Sequence, residues 1–372
     1  MTTIPIHAES AFDRIRQNII GEYLSDTQHY PWIVTFSGGK DSTLVAHTVF
    51  EALLTLPPSL RKRQVHFVSN DTLVESPLVV EHMRNTLGNI LRAAKIYKLP
   101  ISGEVTVPKL TDTFWTLLIG KGYPSPNRSM RWCTDRLKIQ PTSQFILDKV
   151  AENGAAIIVL GVRKDESATR KASIESHQNL DGSNLTPHGS LNNAFVYRPI
   201  VELSTDDVWE FLATNNPPWG GTHSDLIKLY REAAGGECPI VLSQEEAPGC
   251  GTNSSRFGCW TCTVVHKDKS LQGFIDVGKT EFQPLLEFRD WLVEIRNKPE
   301  YRQVERRNGT VTIKSGKHIP GPFTVSARQM ILEKLLVVQA AYGKQLISQE
   351  EIDLIKRIWA EDLINSHTRK KL

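Results

Sequence analysis

The tightest constraint on this chain is a six-residue turn set between two different hydrophobic patterns. Trp32-Ile33-Val34-Thr35-Phe36 is a short apolar run of strand-forming residues, and Thr43 to Leu54 has helical character. Between them stand Ser37-Gly38-Gly39-Lys40-Asp41-Ser42. The glycine pair lets the backbone come close to an anion, and the first amides of the helix point their donors and positive dipole end at it. Lys40 adds a mobile positive charge. The turn is not the nucleoside-triphosphatase P-loop, which requires Gly-x-x-x-x-Gly-Lys-Ser/Thr, because Asp41 follows Gly39-Lys40 and no glycine stands five positions before Gly39.

The same alternation continues. Gln64 to Ser69, Ile101 to Val107 and Ala155 to Leu160 read as strands, with helices over Leu78 to Lys98 and Gln140 to Asn153 between them. Strands alternating with helices predict an α/β fold, a mostly parallel sheet with helices on both faces and ligands at the carboxyl ends of the strands. Gly161-Val162-Arg163-Lys164-Asp165-Glu166-Ser167, with Arg170 three residues on, falls at such an end. Paired guanidinium groups suit phosphate or sulfate oxygens, so Arg163 and Arg170 are candidate anion ligands beside Gly161 and Glu166; a surface ion pair is the plainer alternative. Ala168 to Asn193 is too polar for core and reads as a mobile substrate loop or as a disordered surface insertion, and Thr205 to Thr214 is helical. Pro217 to Gly221 closes a first domain, 1–220.

Composition, 40% hydrophobic and 23% charged over 372 residues, is that of a globular chain with a sizeable core. Net charge is only +3, too even to announce a nucleic-acid partner, yet residues 298–372 hold 14 basic against 8 acidic side chains. That basic region, with helices over Ser326 to Tyr342 and Ser348 to Ile364 and a hairpin signal at Asn308-Gly309, forms a third segment. Arg306, Arg307, Lys314, Lys317 and Arg328 would suit a phosphate backbone or else form a solvated face. The first 20 residues lack a signal peptide's apolar core, and no apolar run reaches the roughly 20 residues that span a bilayer. The expectation is a cytoplasmic protein with no membrane partner.

Between these regions, 221–297 combines a cysteine-rich stretch with an amphipathic helix over Phe282 to Asn297. Four of the five cysteines, Cys238, Cys250, Cys259 and Cys262, are spaced x11, x8 and x2. Four thiolates suit tetrahedral zinc or a cubane iron–sulfur cluster, and zinc on Cys250, Cys259, Cys262 and His266 is an alternative. Cys133 stands apart as a persulfide carrier or nucleophile, a packed thiol, or a further ligand.

The hexad Ser37 to Ser42 resembles the PP-loop of the ATP pyrophosphatases, the adenine nucleotide alpha hydrolase-like superfamily. The likeness implies that the loop holds the β and γ phosphates of ATP, with Mg²⁺, while the α–β bond is cleaved. Arg131-Trp132-Cys133-Thr134 and Gly161 to Arg170 are similar to the adenylylsulfate and phosphoadenylylsulfate reductase branch, and Asp71-Thr72 matches that branch's pair near the adenosine. Across nearly the whole chain, including Val201 to Trp209, Cys250 to Val265 and Gly321-Pro322-Phe323, the pattern resembles the DndC-type DNA phosphorothioation sulfurtransferases; the equivalent Ssp-system component shares it. This resemblance implies a 4Fe-4S cluster and replacement of a non-bridging phosphate oxygen of DNA by sulfur. It also implies a cysteine desulfurase as sulfur donor, other phosphorothioation subunits as partners, and catalytic roles for Lys40, Asp41, Cys133, Arg163 and Arg170. No cysteine follows Cys262, whereas thioredoxin-linked reductases use a thiol near their end. Sulfonucleotide reduction and tRNA thiolation remain the alternatives.

Overall fold

The computed structural model describes residues 10–25, 29–166, 168–175, 184–234, 257–314 and 316–369, leaving out the side chains of Thr169, Arg170, Ser173, Lys317 and residues 365–369. In chain order the first half runs α1 (Ala11–Ser25), β1 (Trp32–Thr35), α2 (Lys40–Thr55), β2 (Val65–Asn70), α3 (Pro77–Ile96), β3 (Ile101–Thr106), α4 (Gln140–Asn153) and β4 (Ala156–Val159). It continues through α5 (Ala168–Glu175), β5 (Leu185–Pro187), β6 (Ala194–Tyr197), α6 (Thr205–Thr214) and α7 (Ser224–Ala233). The sheet order is β3-β2-β1-β4-β6-β5, all neighbours parallel except β5 against β6. The predicted mostly parallel sheet with helices on both sides is therefore the fold.

Alternation along the strands decides which helix lies where. Trp32 and Val34, Val65 and Phe67, and Ile157 and Val159 are buried with residues of α1, α2, α3 and α6. The intervening Ile33, Val68, Ala156 and Ile158 turn to the other face and pack with Ile146 of α4. Both faces being covered, β1 and β4 read as continuous apolar runs. Strand order reverses between β1 and β4, and the carboxyl ends of those two strands form the crevice where such sheets bind ligands.

A second core, which leaves out the hairpin β7 (Thr312–Lys314) and β8 (Lys317–Ile319), holds α8 (Lys269–Asp276), α9 (Gln283–Ile295), α10 (Val325–Tyr342) and α11 (Gln349–Arg369). Its buried side chains include Phe274, Leu285, Phe288, Leu292, Ile331 and Leu335, and Phe114, Trp115, Leu118 and Leu137 join them from between β3 and α4. Thr324 caps α10 by accepting from the Ala327 amide, and left-handed Gly343 ends it. No helix among the described residues is long and apolar enough to cross a membrane.

Several sequence expectations change. The hairpin reverses around Gly316 (φ 71°) rather than at Asn308-Gly309, which makes a separate earlier turn closed by Arg306 N–H to Thr310 O at 2.8 Å. There the Asn308 carboxamide is spent locally, accepting from the Thr310 amide at 3.1 Å. The polar stretch after Ala168 is not all loop: its start is helix α5, held by buried Ile174. Two π-helical turns, Thr116–Gly120 and Thr134–Ile139, bracket the segment that carries Cys133. Such turns gather at functional sites.

Candidate functional site

At the end of β1 the chain bends back on the first turn of α2. Gly38 sits at φ +74°, and a Cβ there would lie 2.9 Å from the Cβ of Met83 on α3, so both dihedral and space require glycine. Gly39 is the N-cap of α2 and has no side chain to satisfy the helix's opening amides. Ser42 Oγ donates to Gly39 O at 2.9 Å and accepts from the Ser37 amide at 3.2 Å, with Ser37 Oγ 3.1 Å away. The two serines thus brace the glycine turn and leave helix donors and Lys40 on its rim.

Asp41 is the centre of the electrostatics. One oxygen takes Lys40 Nζ at 2.7 Å and the other takes Arg163 Nε at 2.6 Å. Arg163, from the end of β4, is 1% exposed, and its remaining donors go to Leu203 O (3.2 Å), Thr205 Oγ1 (3.1 Å) and Asp165 (3.3 Å). Its backbone amide donates to Glu166 at 3.0 Å. The guanidinium is therefore enclosed by protein acceptors and faces Asp41 rather than an open crevice. Gly161 lets the two segments touch, since a Cβ on it would stand 2.9 Å from Asp41 O and 3.1 Å from Ser42 N. The side chain of Arg170 lies outside the described residues, although its backbone belongs to α5.

Asp71 and Thr72 follow β2. Asp71 accepts from the Leu73 amide and from Arg84, both at 2.8 Å, and wholly buried Thr72 places its hydroxyl 3.4 Å from Cys259 Sγ. The loop is tied to the thiols again by Trp260 N–H to Val74 O at 3.0 Å and by a bridge between Glu75 and Cys259. A cavity of about 490 Å³ lies beside the first half of α3, bordered by Asp71, Glu75, Arg84, Trp260 and Tyr342.

Cys133, Cys259 and Cys262 are free thiols. Burial pushes the Cys259 thiol well up, with Glu75 adding to it. Burial likewise raises Cys133, and the nearness of Cys262 raises it further. Cys133 is thus a half-buried thiol close to Cys262, not one activated by Arg131 or Arg136. Trp132 anchors it by donating to Pro124 O at 2.9 Å and stacking 5.4 Å from Phe114. Lys138 reaches Glu75 at 2.7 Å; burial would lower its pKa, but Cys259 and Glu75 outweigh that and raise it. Cys238 and Cys250 lie outside the described residues, and among the described ones no group of three His, Cys, Asp or Glu side chains is gathered to hold a metal. His266 is exposed and lends Arg289 its backbone carbonyl at 2.8 Å.

Sequence reasoning missed two residues. Arg289, fully buried, holds the thiol turn through Cys262 O at 2.8 Å; its signal is an arginine on the same helix stripe as Leu285 and Leu292. Tyr230 of α7 accepts from the Lys40 amide at 3.3 Å, a contact across 190 positions with no local signal. Arg328, read as a partner for a phosphate backbone, is corrected to a strut: it is 2% exposed and bonded to Gly120 O (2.5 Å) and Asp362 (2.8 Å). Arg306, Arg307 and Lys314 stay at or near the surface.

Residues 31–265 match the family model of the phosphoadenosine phosphosulfate reductase domain. Over 227 residues, 60% of this chain, the sequence is 27% identical to an uncharacterized protein of Methanocaldococcus jannaschii; the match spans 39% of that relative's length. Among solved structures, the chain is similar to phosphoadenylyl-sulfate reductase from Candida auris (11% identity, 57% of this chain and 87% of that one, TM-score 0.31). It is also similar to FMN adenylyltransferase from Candida glabrata (13%, 90% and 86%, TM-score 0.36) and NH3-dependent NAD synthetase from Campylobacter jejuni (14%, 78% and 97%, TM-score 0.36). Likenesses this loose leave the chemistry to be read from the residues themselves.

The close approach at Gly161 yields a direct test. Gly161→Ala should force the backbone of Asp41 away, cost about 1–3 kcal/mol in urea unfolding, and weaken nucleotide binding as well. Unchanged stability and binding together would show that this contact does not set the loop.

Proposed function

Because the chain belongs to the phosphoadenosine phosphosulfate reductase domain family, we propose that it uses ATP to activate a DNA backbone phosphate for exchange of a non-bridging oxygen by sulfur. The observation that supports this reading is the loop 37–42 at the switch point of the sheet, with Lys40, Asp41 and the end of β4 drawn together by one buried arginine. The loop takes the β and γ phosphates on helix α2's opening amides, and Lys40 turns from Asp41 to neutralise departing pyrophosphate. That turn opens Asp41 Oδ2, a hard carboxylate oxygen suited to hold Mg²⁺, which would supply positive charge to offset that of the phosphates. Arg163 keeps Asp41 oriented throughout.

In the reaction so supported, a DNA phosphate oxygen attacks the α-phosphorus of ATP and pyrophosphate leaves. A persulfide delivered by a cysteine desulfurase then attacks the DNA phosphorus, and AMP departs with the oxygen. A thiol finally cleaves the sulfur–sulfur bond, leaving thiophosphate on the DNA and a disulfide. In this reading Cys133, half-buried beside Cys262, supplies the thiol of this last step. The soft donor set Cys238, Cys250, Cys259 and Cys262 suits a 4Fe-4S cluster, with zinc as the alternative, and such a cluster would supply structural or redox support. DNA, the desulfurase and other phosphorothioation subunits are the partners of this reading.

A second reading, reduction of a sulfonucleotide to sulfite, is favoured by the family model itself. Mass spectrometry of phosphorothioate dinucleotides in digested host DNA separates the two. They should be present in wild type and lost in a chromosomal Lys40→Ala strain; their absence from wild type, with sulfite released from phosphoadenylylsulfate, would move the assignment to the second reading. Anaerobically purified protein should be brown with about four irons per chain, and colourless protein with one zinc would remove the cluster.

A further inference from the structure

Tyr230 stands between the loop 37–42 and the segment that carries the thiols. Its hydroxyl oxygen accepts from the Lys40 amide at 3.3 Å, and a Cβ on Gly39 would meet the same oxygen at 3.3 Å, so the phenol lies directly on the loop. The hydroxyl's own hydrogen has no acceptor among the described residues. Burial pushes the phenol's pKa up, so it keeps that hydrogen at neutral pH. A hydroxyl that already accepts an N–H is polarised to donate onward. On its other side the ring meets Trp209 edge-on at 4.9 Å and Phe257 at 4.4 Å. Phe257 precedes Gly258, whose carbonyl accepts from the Ser76 amide at 3.2 Å, and Cys259, whose sulfur lies on Thr72.

We propose that Tyr230 is a further phosphate-binding residue of the loop, relaying the Lys40 amide to an oxygen of the nucleotide's pyrophosphate moiety, and that its ring carries the presence of that anion to the Phe257–Cys259 segment. The inference rests on the nucleotide reading of loop 37–42. A phosphate oxygen that takes the hydroxyl's hydrogen draws the phenol toward the loop. Phe257, packed against the ring, follows or locks, and the thiol turn hung on Thr72 and Val74 feels the change.

The test uses the full chain and inorganic pyrophosphate, followed by calorimetric titration and backbone hydrogen exchange. Tyr230→Phe keeps the ring, so its melting temperature should stay near wild type while pyrophosphate binding weakens about tenfold, the worth of one charge-assisted hydrogen bond. In wild type, pyrophosphate should slow exchange at residues 257–262, and Tyr230→Phe should abolish that response. Phe257→Leu should retain the affinity and lose the response. Binding by Tyr230→Phe that is as tight as wild type or tighter, where Lys40→Ala has lost it, would overturn the role of Tyr230 and leave the loop reading standing. Unchanged binding by Lys40→Ala would remove the loop reading beneath it. An exchange pattern at 257–262 indifferent to pyrophosphate in wild type would overturn the link to the thiols.

Discussion

The buried contact between Asp41 and Arg163 is the one on which the nucleotide half of the structure depends. An arginine with 1% exposure is costly to bury, and the cost is met here by a carboxylate at 2.6 Å together with Leu203 O, Thr205 and Asp165. Breaking such a pair from one side typically costs about 3–5 kcal/mol, because the other charge stays buried and alone. The contact joins the first turn of α2 to the end of β4 across the switch point of the sheet. It fixes the direction of Asp41, which in turn holds Lys40 in reserve at the mouth of the loop. Gly161 makes the approach sterically feasible, and α6 closes it from outside through Thr205.

The thiol half is held by a different device. Arg289 donates to three backbone carbonyls between Cys262 and His266, wrapping that turn. Trp260 ties it into the second core, packing 5.8 Å from Trp115 and 6.1 Å from Phe288. Thr72 and Val74 then join this turn to the end of β2, so nucleotide loop and thiols are anchored on adjacent strand ends of one sheet. A reaction that needs phosphate activation and sulfur delivery at one phosphorus requires that proximity.

Much of this architecture was legible because strands buried on both faces write themselves as apolar runs. Helices α4 and α6 have their expected ends, α6 marked by the Ser204–Asp207 capping box. The loop was legible as well, since two glycines between a strand and a helix leave few alternatives. What local pattern could not show is how donors are spent. Arg163 reads as an anion ligand, but its partner Asp41 is 122 positions away, and besides nearby Asp165 its acceptors come from α6 and the loop before it. Tyr230 reaches the loop across 190 positions, and Arg289 reaches the thiol turn across 23 to 27. The π-helical turns around Cys133 are invisible to any 3.6-residue period.

The central claim is cleavage between the α and β phosphates at loop 37–42. Its most direct measurement is the product pattern from ATP labelled at the α and γ positions, incubated with purified protein, Mg²⁺, duplex DNA and a cysteine desulfurase. AMP and pyrophosphate should appear in equal amounts. ADP and inorganic phosphate would contradict that cleavage.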